Sequence, residues 1–592
     1  MNNWGEPAVA ALLTAIVWFV YRRYPAVSAT VAGRLRASAG RVHLCVVAAM
    51  LLPLVVRLAL VPWMPPPEPS APDEFNHLLV ADTLAAGRLA NPPHPLWRHF
   101  ETIYVLQQPT YSSAYPIGQG IILAVGKALT GHAWAGVLLA VVLMCGATSW
   151  MLFGCLPPNW AAAGGLLAAL HFGLAPRWVN SYWGGAFCAF GGALFFGALC
   201  RLHTSPSRTM ALMAGLGWAI VWLTRPFESL IPLVISWGLI TALIIQHRQQ
   251  WRRWIGPIAL IMSVQVFAVC VTALHNRAVT GSFTTLPYQL SQQAYGVPQS
   301  LLWQEAVPEP VLRFPELKEV YWWQREVKDW AIEEPVRRSV FILGRAWRFF
   351  VNPWFSLPIA LLVFLLKDRK VIGGAGFVLC GLAATMLYPF FYEHYLAAYS
   401  CVFFFLIIRG MMLLSQWTVR GRMVGPPVVL FLMLGGVMTA LRIVPVKAIL
   451  GLSPSAQQAS FRTQVADRLS HLGGRHVVFV RYDASHSVDQ ERGRGPRGGG
   501  NPQRRRRLGA PEWVNNAADI DASPIVWCRT SESIDDSEVM RYYKDRNFWI
   551  ARVGRNGVQL SRYQLGRQLN GATESPEREP DWVLERRPRR RN

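Results

Sequence analysis

About a dozen apolar runs, each near the ~20 residues that cross a bilayer core, constrain this chain more than anything else in it. They lie at about 8–21, 42–63, 133–153, 160–176, 184–202, 209–224, 229–246, 255–275, 351–366, 371–391, 396–416 and 424–444. Of 592 residues, 52% are hydrophobic and only 16% charged. A soluble chain of this length carries more charge, so the class is a mainly α, polytopic membrane protein of about 12 spans. The first run, Ala8 to Tyr21, lacks a basic leader and a small-residue cleavage site. It therefore reads as a short membrane helix rather than a signal peptide. A further run, "PIGQGIILAVGKALT" at 116–130, is short and Gly-rich and carries Lys127. It reads as an interfacial helix.

Basic connections set the orientation. Arg22, Arg23, Arg34, Arg36 and Arg41, then "HRQQWRRW" (247–254), "KDRK" (367–370) and "WTVRGR" (417–422), fall on one side when 116–130 does not span. The positive-inside rule makes that side the cytoplasm. Both termini are then outside. So are two long loops, 64–132 and 276–350, and everything after about 445. The short turns "RWVNSYWGG" (177–185), "RPFE" (225–228) and "YEHY" (392–395) open on the same face. Polar groups gather there, which points to chemistry at the outer interface.

Net charge is +24. Much of the excess lies in "ERGRGPRGGGNPQRRRRLG" (491–509), in the tail "ERRPRRRN", and in the short turns. The first two are low-complexity, and no aromatic–basic fold motif accompanies them, so the charge does not indicate a nucleic-acid partner. The 9 cysteines are scattered without CxxC spacing and frame neither disulfides nor zinc.

The first outer loop opens "PSAPDEFNHLL" (69–79), with Asp73 and Glu74 adjacent. Locally this looks like helix capping. Ser70 stands three residues before Asp73 with Pro72 between them, and acids suit the first turn. His77 lies one turn past Asp73. The two make too few ligands for a metal. "WVNSYWGG" brings Asn180 and Tyr182 to a helix end, where they suit either a sugar ring or the ordinary aromatic belt.

The order of several stretches resembles the GT-C glycosyltransferases that use polyprenyl-phosphate sugars. The branches in view are the protein O-mannosyltransferases, the aminoarabinose transferase of lipid A and the Rgt-type transferases. "PDEF" stands where the family's acidic motif lies. "YPIGQG" (115–120), opening on Tyr115, is similar to a Tyr-Pro-Pro-Gly stretch, with Ile117 replacing the second Pro. "WAIVWLTRPFESL" (218–230), "HNRAVTGSFTTLPYQ" (275–289) and "FYEHYLAAYS" (391–400) resemble later family stretches. The resemblance covers roughly 42–445.

It implies transfer of a sugar from a polyprenyl-phosphate donor to an extracytoplasmic lipid, glycan or protein, with inversion. Such chemistry needs a carboxylate to take the acceptor's proton and cations for the leaving phosphate. Asp73 is the expected base, and Glu74 orients it, binds acceptor or caps the helix. Arg225 is the first phosphate cation, with Arg177 and His394 behind it. An Arg ending a span is costly and often functional, although it can also snorkel. His77, Tyr115, Asn180, Tyr182 and Tyr395 are expected around substrate. The partners are the donor, an unspecified acceptor and membrane lipids, in a bacterial cytoplasmic membrane. No cofactor is certain, and a divalent metal beside the acids is left open. The alternative is a transporter or flippase of a lipid-linked sugar.

Four regions are expected: an N-terminal helix with a basic cytoplasmic turn (1–41), the membrane domain (42–445), a small C-terminal extracytoplasmic α/β domain (450–567) interrupted by a disordered insert (488–510), and a disordered tail (568–592). "HVVFVRY", "SPIVWCRT" and "NFWIARV" read as the domain's strands, with "DSEVMRYYKD" as a helix. "EVYWWQREVKDW" (319–330) reads as an amphipathic, surface-docking helix. Asp519 and Asp521 suit a turn better than a metal.

Overall fold

The computed structural model describes residues 5–174, 178–202, 204–246, 251–296, 301–441, 460–482, 513–531, 534–554, 557–563 and 582–585. The chain divides into two compact units. One comprises Met1–Pro67, Pro116–Thr272 and Val336–Ala456; the other comprises Glu68–Tyr115, Ala273–Pro335 and Gln457–Asn592.

The first unit is helical. Among the described residues, four helices are long and apolar enough to cross a membrane: Val42–Ala59, Trp134–Cys155, Arg252–Thr280 and Glu393–Leu414. A bent pair, Pro335–Val351 with Pro353–Leu365, turns through 86° and makes a fifth if it is one span. This is the pattern of a multi-pass membrane protein. It does not reach the expected twelve spans, because several apolar helices, such as Ala186–Leu202 and Arg208–Thr224, stop short of 18 residues. The bend sits at Asn352, whose φ of 62° is left-handed and whose side chain caps Trp354. The basic stretch expected as a cytoplasmic turn contains a helix, Pro25–Ala39. Pro25 stands in its first turn, and the Ala- and Arg-rich sequence that follows favours helix.

Glycines bring the helices together where a side chain would intervene. A Cβ on Gly126 would meet the Gly136 nitrogen at 2.0 Å, so helix Ile117–Thr130 packs directly on Trp134–Cys155. A Cβ on Gly118 would lie 2.6 Å from the Leu223 backbone, and one on Gly192 would lie 2.0 Å from the Ala398 carbonyl oxygen. These two contacts hold the chain just before Arg225 and just after Tyr395.

The second unit is built from parts of both long loops and the C-terminal region. Its sheet has five strands: β1 His476–Tyr482, β2 Ile525–Arg529, β3 Asn547–Val553, β4 Gly557–Arg562 and β5 Trp582–Glu585. Their order is β2-β1-β3-β4-β5. The first three are parallel, with His476 opposite both Ile525 and Asn547, and the last two add antiparallel. Helix Asp536–Tyr542 connects β2 to β3.

Successive β1 residues face opposite sides of the sheet. Val477 and Phe479 pack with Leu79, Phe100, Val105 and Tyr111 of the first loop. Val478 and Val480 pack with Val465, Leu469, Trp527 and Trp549. The C-terminal region expected as a separate domain therefore shares its core with the first long loop. The tail expected to be without structure contains β5, because Trp582 and Leu584 alternate onto an apolar face of the sheet. The Arg/Gly insert at 488–510 lies outside the described residues. The Trp-rich stretch is the helix Pro315–Glu333, as its period predicts.

Candidate active site

The acidic motif opens helix Pro72–Ala85. Its N-cap is Ala71, one residue later than a Ser70 cap would place it. The third helical residue is therefore Glu74. Its Oε2 accepts from the Ser70 backbone N at 2.8 Å, the Ser70 hydroxyl at 3.0 Å and the Ala71 N at 3.1 Å. Glu74 is 3% exposed. It does the work of the acidic member of a capping box.

That leaves Asp73 for other work. It is half-buried, and its Oδ1 accepts from the Tyr115 hydroxyl at 2.5 Å. Its Oδ2 makes no hydrogen bond with a described residue. Tyr115 is half-buried and packs on His77, with ring centroids 5.0 Å apart, and meets Tyr104 edge-on at 5.7 Å. The Tyr104 hydroxyl accepts from Gln324 Nε2 at 2.7 Å. The Tyr104 backbone has φ 63°, a left-handed conformation unusual for a bulky residue. Two bonds flank it: Asn76 Nδ2 donates to the Ile103 carbonyl at 3.0 Å, and the Ala114 N donates to the Tyr104 carbonyl at 2.8 Å.

Burial, reinforced by the Asp73 charge, raises the Tyr115 pKa well above its ordinary value. Burial pushes Tyr288 up to about 12, with the Asp73 charge adding to it and a Gln292 hydrogen bond opposing it. Both phenols thus stay protonated, and Tyr115 is a standing donor to the carboxylate. A carboxylate fixed on one oxygen and open on the other can accept a proton from a bound hydroxyl or amine.

Sequence reasoning placed Asp73, His77 and Tyr115 near the site, and the structure brings all three together. It missed Tyr104, Tyr288 and Gln324. Tyr288 lay inside the quoted "LPYQ" stretch, which was the available signal. Tyr104 and Gln324 carried none, because their roles depend on contacts more than 200 residues apart in the chain.

In the first unit, Arg225 caps helix Arg208–Thr224. Its Nη1 lies 3.7 Å from Glu228 Oε1, and its guanidinium stacks over Tyr395 at 4.8 Å. His394 is 8% exposed, parallel to Tyr392 at 5.6 Å and edge-on to Trp183 at 5.4 Å. Arg345 grips Glu393 with two bonds, 2.9 and 3.0 Å, and stacks on Tyr392. Arg225, His394 and Tyr395 therefore share one aromatic cluster, to which Trp183, Glu228 and Arg345 are additions that the sequence did not single out.

Asn180 and Tyr182 are placed differently. Asn180 Oδ1 accepts from Arg57 Nε at 3.2 Å. Arg57, 1% exposed, also donates to the Met64 and Pro65 carbonyls and stacks over Trp134. An Arg inside an apolar run was the signal for this network. Tyr182 is buried, and its carbonyl accepts from Gln119. Arg177 lies outside the described residues.

No group of three or more His, Cys, Asp or Glu side chains among the described residues could hold a metal. Asp519 closes a turn onto Ala522 N at 2.9 Å, and Asp521 accepts from Tyr542 and Tyr543.

No protein-family model and no curated protein matches the sequence. Among solved structures, the chain is similar to ArnT from Cupriavidus metallidurans in its apo state, at 11% identity and a TM-score of 0.44, covering 84% of this chain and 92% of that one. The same protein bound to undecaprenyl phosphate gives 13% and 0.43 over the same shares. The apo oligosaccharyltransferase of Archaeoglobus fulgidus gives 10% and 0.39, covering 74% of this chain and 62% of that one. Both neighbours are GT-C glycosyltransferases, and the likeness is distant.

Proposed function

We propose that the protein is a membrane glycosyltransferase that moves a sugar from a polyprenyl-phosphate donor to an acceptor outside the cytoplasmic membrane. The observation that carries this reading is a convergence in the second unit. Asp73 of "PDEF" and Tyr115 of "YPIGQG" share a hydrogen bond, and Tyr288 of "LPYQ" lies within reach of the Asp73 charge. These are three of the stretches that resemble the family, and they meet around one carboxylate.

In the proposed step the acceptor oxygen or nitrogen attacks the anomeric carbon, and its proton passes to Asp73 Oδ2. The bond from the anomeric carbon to the phosphate oxygen breaks, and the phosphate leaves with the electron pair. Inversion follows from attack opposite the leaving group. Tyr115 holds the carboxylate in place, and Glu74 holds the helix start. Arg225 takes the donor phosphate, with His394 and Tyr395 beside it. Twelve spans, with both termini and the active site outside, belong to the same proposal.

The test is transfer by purified protein in lipid, with radiolabelled polyprenyl-phosphate sugar as donor and envelope extract as acceptor. Wild type should label the acceptor, and Asp73→Asn should not. Equal labelling by both, or donor movement across the bilayer without transfer, overturns the reading. For topology, a cysteine placed after residue 460 in a variant without other reactive thiols should react with an impermeant reagent in intact cells.

A further inference from the structure

The sheet of the second unit carries a cavity that the proposed transfer does not use. It lies at the carboxyl ends of parallel strands β1 and β2, with a volume near 260 Å³. In open sheets with parallel strands, ligands bind in the crevice outside the carboxyl ends of the strands. Arg481 and Tyr482 come from β1, and Arg529, Thr530 and Ser531 from β2 and its continuation. Phe314 and Glu316, at the start of helix Pro315–Glu333, complete the wall.

The two arginines differ. Arg529 is 1% exposed and fixed. Its Nε donates to the Glu101 carbonyl at 2.6 Å, its Nη1 to Glu316 at 3.1 Å, and its guanidinium lies over Phe314 at 5.0 Å. Arg481 is half-buried and makes no hydrogen bond or ion pair with a described residue. Its charge reaches Asp536, whose Oδ2 already accepts from Thr530 and Tyr563. Two guanidiniums against the single carboxylate of Glu316 leave the cavity wall with a net positive charge. A half-buried guanidinium that pairs with no described residue is costly to hold unless something else pairs with it. Its fork geometry selects an oxoanion.

We propose that this cavity binds a small oxoanion, a phosphoryl or carboxylate group, with Arg481 as the ligand-facing cation and Arg529 as the fixed one. The group comes either from a soluble phosphate or from an anionic lipid headgroup.

The experiment uses the full chain in phosphatidylcholine nanodiscs, in an Arg225→Ala background that removes the proposed donor cation. Inorganic phosphate is titrated calorimetrically. Saturable binding is expected. Arg481→Gln should weaken it about tenfold or more, the loss typical of a charge-assisted hydrogen bond, and Arg481→Lys should restore part of it. Thermal unfolding of each variant checks that the sheet is intact. Discs containing phosphatidylglycerol separate the sources: weakened phosphate binding there identifies the headgroup as the ligand, and unchanged binding identifies a soluble oxoanion. Phosphate affinity that is the same with Arg481 or Gln, or no saturable binding in either disc, overturns the proposal.

Discussion

Asp73 and Arg225 each adjoin a proline at a helix end, yet their surroundings differ in kind. Around Asp73 the neighbours are hydroxyl and ring groups: Tyr115 donates to one oxygen, His77 packs on Tyr115, and no cation among the described residues forms an ion pair with the acid. Around Arg225 the neighbours are a carboxylate at 3.7 Å and an aromatic face. The acid is oriented but not neutralised, which suits a proton acceptor. The cation is partly neutralised and held by its face, which suits a fixed charge that shares its field with a ligand. The same contrast appears on a smaller scale between Asp73 and Glu74. Glu74 spends Oε2 on three donors, and Asp73 keeps Oδ2 open.

The strongest test of this contrast is Asp73→Asn. Loss of a general base should cut turnover by about 10²–10⁴, with thermal unfolding unchanged, because Asp73 does not cap the helix. Wild-type turnover in the Asn variant would reduce Asp73 to a partner for Tyr115. Next in size is Arg225→Ala, which should weaken donor binding about 10–100-fold, the range for charge-assisted bonds. Lys should recover part by charge without the fork. Donor affinity unchanged in both variants would make Arg225 a structural cap paired with Glu228.

Glu74→Ala should do the reverse of Asp73→Asn. It strips the acceptor from the Ser70 and Ala71 amides, costing about 1–3 kcal/mol of stability in the second unit, and transfer should persist. Faster hydrogen exchange at those amides with normal turnover would confirm the division; lost turnover with normal exchange would reverse it.

The smallest expected effect concerns pH and the core of the second unit. Burial lowers the His99 pKa below its ordinary value of 6.5, against raising contributions from the Arg529 carbonyl and Asp536. The unfolded chain then binds the proton more readily, so stability is full above about pH 6.5 and falls as pH drops toward the folded value. Thermal unfolding of wild type should decline over that window more steeply than that of His99→Gln. Parallel curves would show that His99 does not contribute.

Much of the fold was legible because it rests on local signals. Apolar runs report burial in lipid or core wherever they occur, and the short β-branched and aromatic run in "HVVFVRY" marks β1 without reference to its partners. The period of "EVYWWQREVKDW" likewise locates its helix. Strand β5 was not legible. Four residues in a basic tail have no usable period, and Trp582–Glu585 becomes a strand only because β4 offers it an edge. The helix Phe461–Leu472 was also missed. Its start is set by the Glu68 carboxylate, which accepts from Ser460 and Thr463 nearly 400 residues away.

From the sequence alone came the multi-pass helical character, three strands of the C-terminal region, and the short list that contained Asp73, Tyr115, Arg225 and His394. Each follows from residue type and spacing over a few turns of chain. Tertiary structure alone decided which of two adjacent acids caps and which is left open. It also drew Asn180 onto Arg57, and it set Arg481 at the cavity beside a fixed Arg529, without a hydrogen bond to any described residue. The reason is physical. A capping role depends on where the first helical hydrogen bond closes, and a side chain's protonation and partners depend on what folding brings within about 3–6 Å. Neither distance is written in the period of the sequence.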